Sequence, residues 1–357
     1  MTVKLTMRPL RLAGPGDPLE KSLKLAGGPL TFAAVETVVR APSRPPVRRN
    51  LTPGEIPGWI EALHLVPQAE ALLERLTAPR ADFAGLSLDR PRIMAVINVT
   101  PDSFSDGGER LNADRAVAEG LALKAAGADI LDVGGESTRP GAEPVGLEEE
   151  LRRILPVVEG LAAAGAVVSI DTRHAAVMSG ALAAGARIVN DVTALAGDPR
   201  SLSLAADSGA PVVLMHMQGD PRSMQKDPSY KDVVLDIYDY LAARVEACVA
   251  AGIAPDRIAV DPGIGFGKTL EHNLQILDQV AIYHGLGTAV LLGVSRKAFI
   301  GRLSHDEPPK ERVPGSLAAA LAGAARGVQI IRVHDVAETY QALKVWRAVT
   351  MAPESLV

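Results

Sequence analysis

The chain has 357 residues, of which 47% are hydrophobic and 22% are charged, and its formal net charge is −5. This composition predicts a large core and one or two domains. The absence of a dense Lys/Arg tract argues against a nucleic-acid partner. The one cysteine, Cys248, excludes an intrachain disulfide framework and is expected to be buried on a helix. Because the sequence shows neither a membrane-spanning apolar run nor a secretory signal, we expect a cytoplasmic protein with no membrane partner.

The first ninety residues differ in pattern from the remainder. Prolines and glycines interrupt residues 14–17, and residues 41–49 are rich in Pro and Arg. Partial alternation over 31–40 predicts a strand, and apolar residues at helical spacing over 57–76 predict one or two short helices. We therefore predict an N-terminal extension of small mixed α/β structure over residues 1–90, followed by a second domain over 91–357. The extension could serve oligomer contacts, partner binding or structural capping.

From residue 92 onward, short apolar runs alternate with Ala/Leu/Val-rich helical segments. The runs read IMAVIN, ILDVGG, VVSID, RIVND, PVVLMH, RIAVD, AVLLGVSRK and QIIRVH. Strands that alternate with helices predict a parallel sheet, and eight such units fit a closed (β/α)8 TIM barrel. An open doubly wound sheet is disfavoured because the first run lacks a glycine-rich fingerprint after it. Glycines follow six of the helical segments, where a left-handed helix end would lie, at Gly127, Gly165, Gly185, Gly209, Gly252 and Gly327.

Each apolar run ends on a residue that can bind or react. These residues are Asn98, Asp132, Asp171, Asn190, His216, Asp261, Ser295 to Lys297, Arg332 and His334. In a (β/α)8 enzyme the carboxyl ends of the strands converge on one pocket. The same pattern therefore predicts both the architecture and the location of an active site.

Two polar loops follow the first two runs. The first, NVTPDSFSDGG at 98–108, suggests a lid that carries one aromatic contact, Phe104. The second, DVGGESTRPGAEPV, places Arg139 beside hydroxyl groups, which suits an anion. Both could instead be ordinary connecting loops, the second with an internal pair between Glu136 and Arg139.

Asp171, Asn190 and Asp261 end three of the runs. A buried carboxylate is costly unless it is paired or hydrogen-bonded. Three such groups at one barrel mouth fit a flat ligand with several N–H donors, such as a pterin, since one carboxylate can accept two parallel N–H bonds. Asp171 and Asn190 could alternatively cap the helices that follow them.

The last two runs predict an anion site. Alternate residues of a strand share a face, so Ser295 and Lys297 should point together, as should Arg332 and His334. Arg332 and His334 fit a diphosphate, because strands seven and eight of such barrels often bind phosphate. A Mg²⁺ ion held by Asn98 and phosphate oxygens is compatible with this arrangement, because Mg²⁺ prefers few protein ligands.

Two further features remain open. His216 could be catalytic, although the flanking methionines fit simple packing equally well. The stretch DPGIGFGK at 261–268 lacks the spacing of a phosphate-binding loop, so a nucleotide site is disfavoured. Its glycines are more consistent with letting Phe266 and Lys268 reach inward.

Together the motifs resemble the dihydropteroate synthase family. The matching segments are NVTPDSFSDGG, DVGGESTRPGA, SIDT, NDV, LMHMQG, DPGIGFGK, GVSRKAFIG and RVHDV, in the family's order over about residues 92–350. The resemblance implies a pterin-binding (β/α)8 enzyme of folate synthesis, a transferase that joins 6-hydroxymethyl-7,8-dihydropterin diphosphate to p-aminobenzoate. It also implies Mg²⁺ as cofactor, sulfonamides as mimics of p-aminobenzoate, and a homodimer.

The resemblance further implies a role for each matching residue. The pterin would contact Asp171, Asn190, Met215, Asp261 and Lys297, with Asp132 at the base of the second loop. The diphosphate would be held by Asn98, through Mg²⁺, and by Arg332 and His334. Ser295, Phe266 and Pro140 would bind p-aminobenzoate, and Phe104, Asp106, Thr138, Arg139 and Pro140 would close over the reacting centre. The catalytic set would comprise Asn98, Thr138, Arg139, Lys297, Arg332 and His334.

Two rival functions are compatible with a pterin-binding barrel. One is a methyltransferase that uses methyltetrahydrofolate, which would not need the Ser-Thr-Arg-Pro loop or the Arg332 and His334 pair. The other is a catalytically silent barrel that acts as a partner subunit, suggested by the unfamiliar N-terminal extension. The intact residues at every mouth position argue against the silent barrel.

Overall fold

The computed structural model describes residues 3–15, 19–42, 44–99, 109–136, 145–219 and 223–350. Most of the two polar loops lies outside these ranges. The predictions for Phe104, Asp106, Thr138, Arg139 and Pro140 therefore concern residues outside the described structure.

The N-terminal extension is a four-stranded antiparallel sheet with two helices. Its central strand β3 pairs with all three other strands. The elements are β1 (Lys4–Ala13), β2 (Leu23–Lys24), β3 (Thr31–Arg40), β4 (Val47–Leu51), α1 (Ile56–Ala62) and α2 (Val66–Thr77). The strand predicted at 31–40 is confirmed, and the one or two short helices predicted over 57–76 are two, α1 and α2. The strands β1 and β4 were not predicted, because interspersed charged residues weaken their apolar alternation.

The eight parallel strands that follow close into a barrel. They are β5 (Arg92–Asn98), β6 (Ile130–Gly134), β7 (Val168–Asp171), β8 (Ile188–Asp191), β9 (Val212–Met215), β10 (Ile258–Asp261), β11 (Ala289–Gly293) and β12 (Ile330–Val333). The order around the barrel is the order along the chain, and β12 pairs with β5 to complete the closure. The predicted (β/α)8 architecture is confirmed.

Helices separate successive barrel strands. They are α3 (Glu109–Ala125), α4 (Leu147–Ala163), α5 (Ala175–Ala183), α6 (Ser201–Ser208), α7 (Val233–Ala250), α8 (Leu270–Gln279), α9 (Ala298–Leu303), α10 (Val313–Ala324) and α11 (Val336–Thr350). The six glycines predicted to follow helices all have positive φ, which confirms that prediction. Cys248 is fully buried on α7, as expected. Among the described residues, no helix is both long and apolar enough to cross a bilayer.

The interior of the barrel is apolar at its amino-terminal end. An inner cluster is formed by Phe83, Met94, Ile130, Ile188, Val213, Ala259, Leu291 and Ile330. Because strand residues two apart share a face, the positions one layer higher also point inward. That layer contains Asp132, Asn190, Met215, Asp261 and Arg332. The repeat of the strands thus places a polar layer directly above an apolar floor.

The extension is packed on the barrel beside α7 and beside the segment 280–286 that follows α8. Val38 of β3 belongs to the main barrel core. Arg40 donates to both carboxylate oxygens of Asp239 on α7 at 2.8 Å, and Arg48 of β4 lies 2.6 Å from Asp232, the N-cap residue of the same helix. Arg80 donates to the carbonyl of His284 at 3.1 Å. Apolar packing and charge pairs therefore both hold the extension in place.

Candidate active site

Arg332 links two carboxylates at the centre of the barrel mouth. Its Nε donates to Oδ2 of Asp132 at 2.6 Å, and its Nη2 donates to Oδ2 of Asp171 at 2.6 Å. Asn190 Nδ2 donates to the same Asp132 oxygen at 2.9 Å. Side chains from β6, β7, β8 and β12 therefore form one hydrogen-bonded cluster, which brings together four of the predicted site residues.

Neither Asp171 nor Asn190 takes the alternative role of helix capping, because the N-cap residues of α5 and α6 are His174 and Arg200. Asp191 is fully buried, and its carboxylate accepts hydrogen bonds from the backbone N–H groups of Thr193 and Leu195. Asn190 and Asp171 instead face the cluster around Arg332. Residues at the carboxyl ends of β7 and β8 are thus available to a ligand.

Burial perturbs the acids and bases of this layer. It raises the pKa of Asp171 to about 7, even though the Arg332 charge acts in the opposite direction. Burial also raises the pKa of Asp261, while a hydrogen bond from the Gly263 N–H at 2.7 Å opposes the rise. Burial lowers the pKa of Arg332, but Asp132 and Asp171 outweigh this and keep the guanidinium charged. Such perturbed groups in a concave mouth are typical of functional sites.

Lys297 and Phe266 form a second part of the mouth. The Lys297 Nζ donates to the Ile264 carbonyl at 2.6 Å and lies 4.2 Å from the centre of the Phe266 ring. Burial lowers the pKa of Lys297 to about 8, with Asp261 acting in the opposite direction. A lysine held above an aromatic ring in this way can cover a flat ligand and contribute a cation–π contact.

Ser295 and Lys297 lie beyond the end of their strand. The strand β11 ends at Gly293, so the expectation that strand alternation directs both side chains was wrong. A turn does so instead: Arg296 adopts a positive φ of 59° and forms an ion pair with Asp335. The Ser295 hydroxyl lies 3.1 Å from Nδ1 of His334. The residues predicted for p-aminobenzoate and for diphosphate are therefore adjacent.

The glycine-rich loop at 262–268 does not form a phosphate cradle. Gly263 N–H donates to Asp261, Gly265 N–H donates to the Asn273 side chain, and Phe266 N–H donates to the Gly263 carbonyl. Because these amides have protein partners, they are not available to an anion. The disfavoured nucleotide-binding interpretation of this stretch therefore receives no support.

His216 is a packed residue that contacts a buried lysine. Its ring lies edge-on to Tyr240 at 4.9 Å, and its Nδ1 lies 3.1 Å from Nζ of Lys268. Burial and the neighbouring Lys268 lower the pKa of His216 to about 3, so the ring is neutral. Sequence reasoning left His216 open and did not link it to Lys268, because 52 residues separate them.

A further group of side chains supports the start of the second loop. Glu136 forms a two-point ion pair with Arg173 at 3.0 Å. Glu150, fully buried in the first turn of α4, accepts a hydrogen bond from the Thr172 hydroxyl at 2.7 Å and lies 2.9 Å from Nδ1 of His174. These contacts hold the segment that follows Asp171. The helical position of Glu150 gave no sequence signal for this role.

Comparisons with known proteins agree with this geometry. A sequence model described as pterin binding enzyme matches residues 94–334. The chain is 46% identical over 276 residues to the dihydropteroate synthase of Escherichia coli K12, covering 77% of this chain and 97% of that relative. It is 50% identical over 268 residues to the enzyme of Neisseria meningitidis serogroup B, covering 74% and 94%.

Solved structures give the same result. Xanthomonas albilineans dihydropteroate synthase with 4-aminobenzoic acid aligns with a TM-score of 0.72 and 51% identity, over 78% of this chain and all of that one. The same enzyme in complex with 7,8-dihydropteroate aligns with a TM-score of 0.70 and 48% identity, over 77% and all of that chain. The fold and site thus define a pterin-binding (β/α)8 enzyme. More specifically, the chain belongs to the dihydropteroate synthase family, a family of transferases.

Proposed function

We propose that this chain condenses 6-hydroxymethyl-7,8-dihydropterin diphosphate with p-aminobenzoate, giving 7,8-dihydropteroate and pyrophosphate. The solved relatives that contain 4-aminobenzoic acid and 7,8-dihydropteroate support this reaction. The observation that carries it is the placement of Arg332 against Asp132 and Asp171 in the barrel mouth. The carboxylates that can accept N–H bonds from a heterocycle thereby lie beside the guanidinium that can stabilise a leaving group.

The pterin is assigned to the carboxylate and amide layer. Asp171, Asn190 and Asp261 line the inner face at the ends of their strands. Ionised carboxylates are strong acceptors for paired N–H donors, which a pterin presents along one edge. Met215 offers an apolar contact from β9, and Lys297 covers the ring. In this assignment the carboxylates also keep cationic neighbours, since Asp171 pairs with Arg332 and Asp261 is faced by Lys297.

The diphosphate is assigned to Arg332 and His334. Arg332 donates to Asp132 through Nε and to Asp171 through Nη2. The N–H groups of Nη1 take no part in these two contacts, so they can donate to a phosphate oxygen. His334 lies one residue beyond the end of β12. A charged guanidinium stabilises the negative charge that develops on a departing phosphate oxygen.

The residues present also fit Mg²⁺. Asn98 ends β5 with an amide oxygen, and the fully buried Asp132 has one carboxylate oxygen, Oδ1, with no hydrogen-bond partner among the described residues. Among the described residues, no three His, Cys, Asp or Glu side chains form a cluster that could hold a metal ion. This suits a cation that is bound mainly by substrate oxygens. When bound through Asn98, Mg²⁺ would neutralise diphosphate charge.

The p-aminobenzoate is assigned to Ser295, Phe266 and Pro140. Phe266 presents its ring beside Lys297, and the Ser295 hydroxyl, which is close to His334, would bind the carboxylate. The two polar loops, with Phe104, Asp106, Thr138 and Arg139, would close over the reacting carbon and exclude water.

The reaction is proposed to be a dissociative displacement. The bond between the methylene carbon and oxygen breaks, and its electron pair leaves with the diphosphate. Asp171 and Asp261 stabilise the cationic pterin that results. The neutral aromatic amine then forms the C–N bond and loses one proton, so no strong general base is required. In keeping with the family, we also propose a homodimer that works in the cytoplasm.

A pyrophosphate-release assay tests this function. The purified chain is mixed with both substrates and Mg²⁺, and the organic product is identified as 7,8-dihydropteroate by mass. Reactions that lack p-aminobenzoate serve as the control. Release only with both substrates is the expected result. No release above background would favour the silent barrel, and methyl transfer from methyltetrahydrofolate in a parallel assay would favour the methyltransferase.

A further inference from the structure

Four consecutive backbone carbonyls of the glycine-rich loop accept hydrogen bonds from side chains. Lys297 donates to Ile264 at 2.6 Å, and Gln225 donates to Gly265 at 2.5 Å. Lys268 donates to Phe266 at 2.9 Å, and Tyr230 donates to Gly267 at 2.7 Å. Loops usually run over the protein surface and are more mobile than the elements they connect. A loop with four consecutive carbonyls bound by side chains is held in one conformation.

Two glycines bring this loop against the segment that follows β9. A Cβ atom on Gly263 would lie 2.0 Å from the His216 carbonyl oxygen, and one on Gly267 would lie 2.5 Å from the Gln218 carbonyl oxygen. Both glycines have positive φ, 70° and 62°. The backbone of the loop is therefore in direct contact with residues 216–218.

Lys268 lies at the centre of this contact. Only 2% of its surface is exposed, and its Nζ faces the Phe266 carbonyl, Nδ1 of His216 at 3.1 Å and the His216 carbonyl at 3.4 Å. Burial lowers the pKa of Lys268 well below its usual value, and Asp261 acts in the opposite direction. When protonated, the amine has three donors, which match these three acceptors. The Nδ1 contact requires a neutral His216 that accepts at this nitrogen. Lys268 therefore joins His216, which follows β9, to the backbone carbonyl of Phe266, whose aromatic ring faces Lys297.

We infer that Lys268 is a positioning residue for p-aminobenzoate binding, acting through the Phe266 carbonyl and His216. The inference rests on the proposed function, which assigns the Phe266 ring to the p-aminobenzoate pocket. Lys268 does not touch the substrate. It fixes the backbone of Phe266 so that the ring stays 4.2 Å from the Lys297 ammonium. His216 thereby acquires a role as the partner that orients Lys268.

The predicted effect is selective for one substrate. The pterin residues Asp171 and Asn190 lie on strands that Lys268 does not contact. The charge of Lys268 also acts on Asp261, but this carboxylate keeps its hydrogen bond from the Gly263 N–H and the charges of Lys297 and Arg332 when Lys268 is replaced. Loss of the Lys268 ammonium should therefore weaken p-aminobenzoate binding much more than pterin binding.

The test uses Lys268→Met, with Lys226→Met as a matched control, because Lys226 is exposed in the neighbouring β9–α7 connection. We expect Lys268→Met to raise KM for p-aminobenzoate about tenfold or more, while pterin affinity by calorimetry changes less than about threefold. The control should match the wild type. An unchanged KM would overturn the inference, and so would equal losses for both substrates, which would indicate a merely structural role.

A second pair of variants covers failure of Lys268→Met to fold. His216→Leu removes the side-chain acceptor of Lys268, and His216→Asn restores an acceptor near the position of Nδ1. We expect a raised KM for p-aminobenzoate in the first and substantial recovery in the second, and identical values in the two would overturn the inference. If the wild type forms no dihydropteroate, the proposed function fails and this inference fails with it. If the wild type is active but Lys268→Met and both His216 variants keep its KM, only the inference fails.

Discussion

Arg332 is paired with the carboxylates of Asp132, which is fully buried, and of Asp171, which is largely buried. A buried charge without a partner is costly, and removing one member of such a cluster leaves the others uncompensated. Asp132 is fully buried, so Arg332 neutralises it as well as facing the proposed diphosphate site. One side chain thus stabilises the folded barrel mouth and the proposed leaving group.

Replacing Arg332 by lysine separates these two roles. Lysine keeps one positive charge but lacks the planar fork that reaches Asp132 and Asp171 together. We expect Arg332→Lys to remain folded by circular dichroism and to lose about tenfold to a hundredfold in kcat, measured as pyrophosphate release. Equal kcat values for the variant and the wild type would argue against a role for the guanidinium in diphosphate departure.

Asp171 should give pterin binding a pH dependence near neutrality. Because burial raises its pKa to about 7, the carboxylate is protonated below this pH and ionised above it. Binding that needs an ionised acceptor should therefore tighten as pH rises from about 6 to about 8, by up to about tenfold per unit below the pKa. Calorimetric titration with a pterin ligand measures this.

Asp171→Asn provides the control for this pH dependence. The variant should bind pterin more weakly and should lack the inflection near pH 7, because an amide does not titrate in this range. A wild-type affinity that is constant over the same pH interval would show that the pterin does not depend on ionised Asp171.

At the scale of elements, the connections between strands and helices decide the geometry of the mouth. The turn at Arg296 directs Ser295 and Lys297 inward after β11 has ended. The glycine-rich loop after β10 lies directly against the backbone of residues 216–218. Strand alternation accounts for the polar layer within the barrel, whereas contacts between loops position the residues that surround this layer at the mouth.

Gly263 allows a direct test of the contact between loops. Gly263 and Gly165 have nearly equal φ values, 70° and 69°, but a Cβ on Gly165 would meet nothing within 4 Å. Gly165→Ala should therefore cost only the left-handed strain, about 1–2 kcal/mol of unfolding free energy. Gly263→Ala should cost clearly more, because its Cβ would lie 2.0 Å from the His216 carbonyl.

Urea unfolding of both glycine variants measures the difference. Pterin binding by Gly263→Ala should also weaken, since Asp261 accepts a hydrogen bond from the Gly263 N–H. Similar losses of stability in the two variants would show that the loop can move away from His216 at little cost.

At the scale of the whole molecule, the N-terminal extension is attached to the same helix that follows the His216 segment. Arg40 and Lys4 both contact Asp239 on α7, and Arg48 contacts Asp232 at the start of that helix. About a quarter of the chain lies beyond the alignment with the Escherichia coli relative, which is itself covered almost completely. The family resemblance therefore accounts for the barrel and not for the extension.

Asp239→Ala tests how strongly the extension is held. The variant loses a two-point pair with Arg40 and a contact with Lys4, all partly exposed, so we expect a loss of about 1 kcal/mol. This should lower Tm by about 2 °C in thermal unfolding. Asp207→Ala, at an exposed position on α6, is the matched control.

Added salt provides a second criterion for the Asp239 variant. The difference in Tm from the wild type should shrink at about 1 M NaCl, because salt screens partly exposed charges. A difference that does not depend on salt would assign the effect to packing of α7 and not to the ion pairs.

The amino-acid sequence alone determined the barrel and the polar residues at its mouth. Strand and helix periodicities are local, and residues two apart share a face, so Asp132, Asn190, Asp261 and Arg332 could be placed without tertiary contacts. The tertiary structure decided which of these side chains bind one another. Arg332 lies 200 residues from Asp132, and closure of the barrel between β12 and β5 brings them together. Lys268 lies 52 residues from His216, and the pairing of β9 with β10 brings these two together.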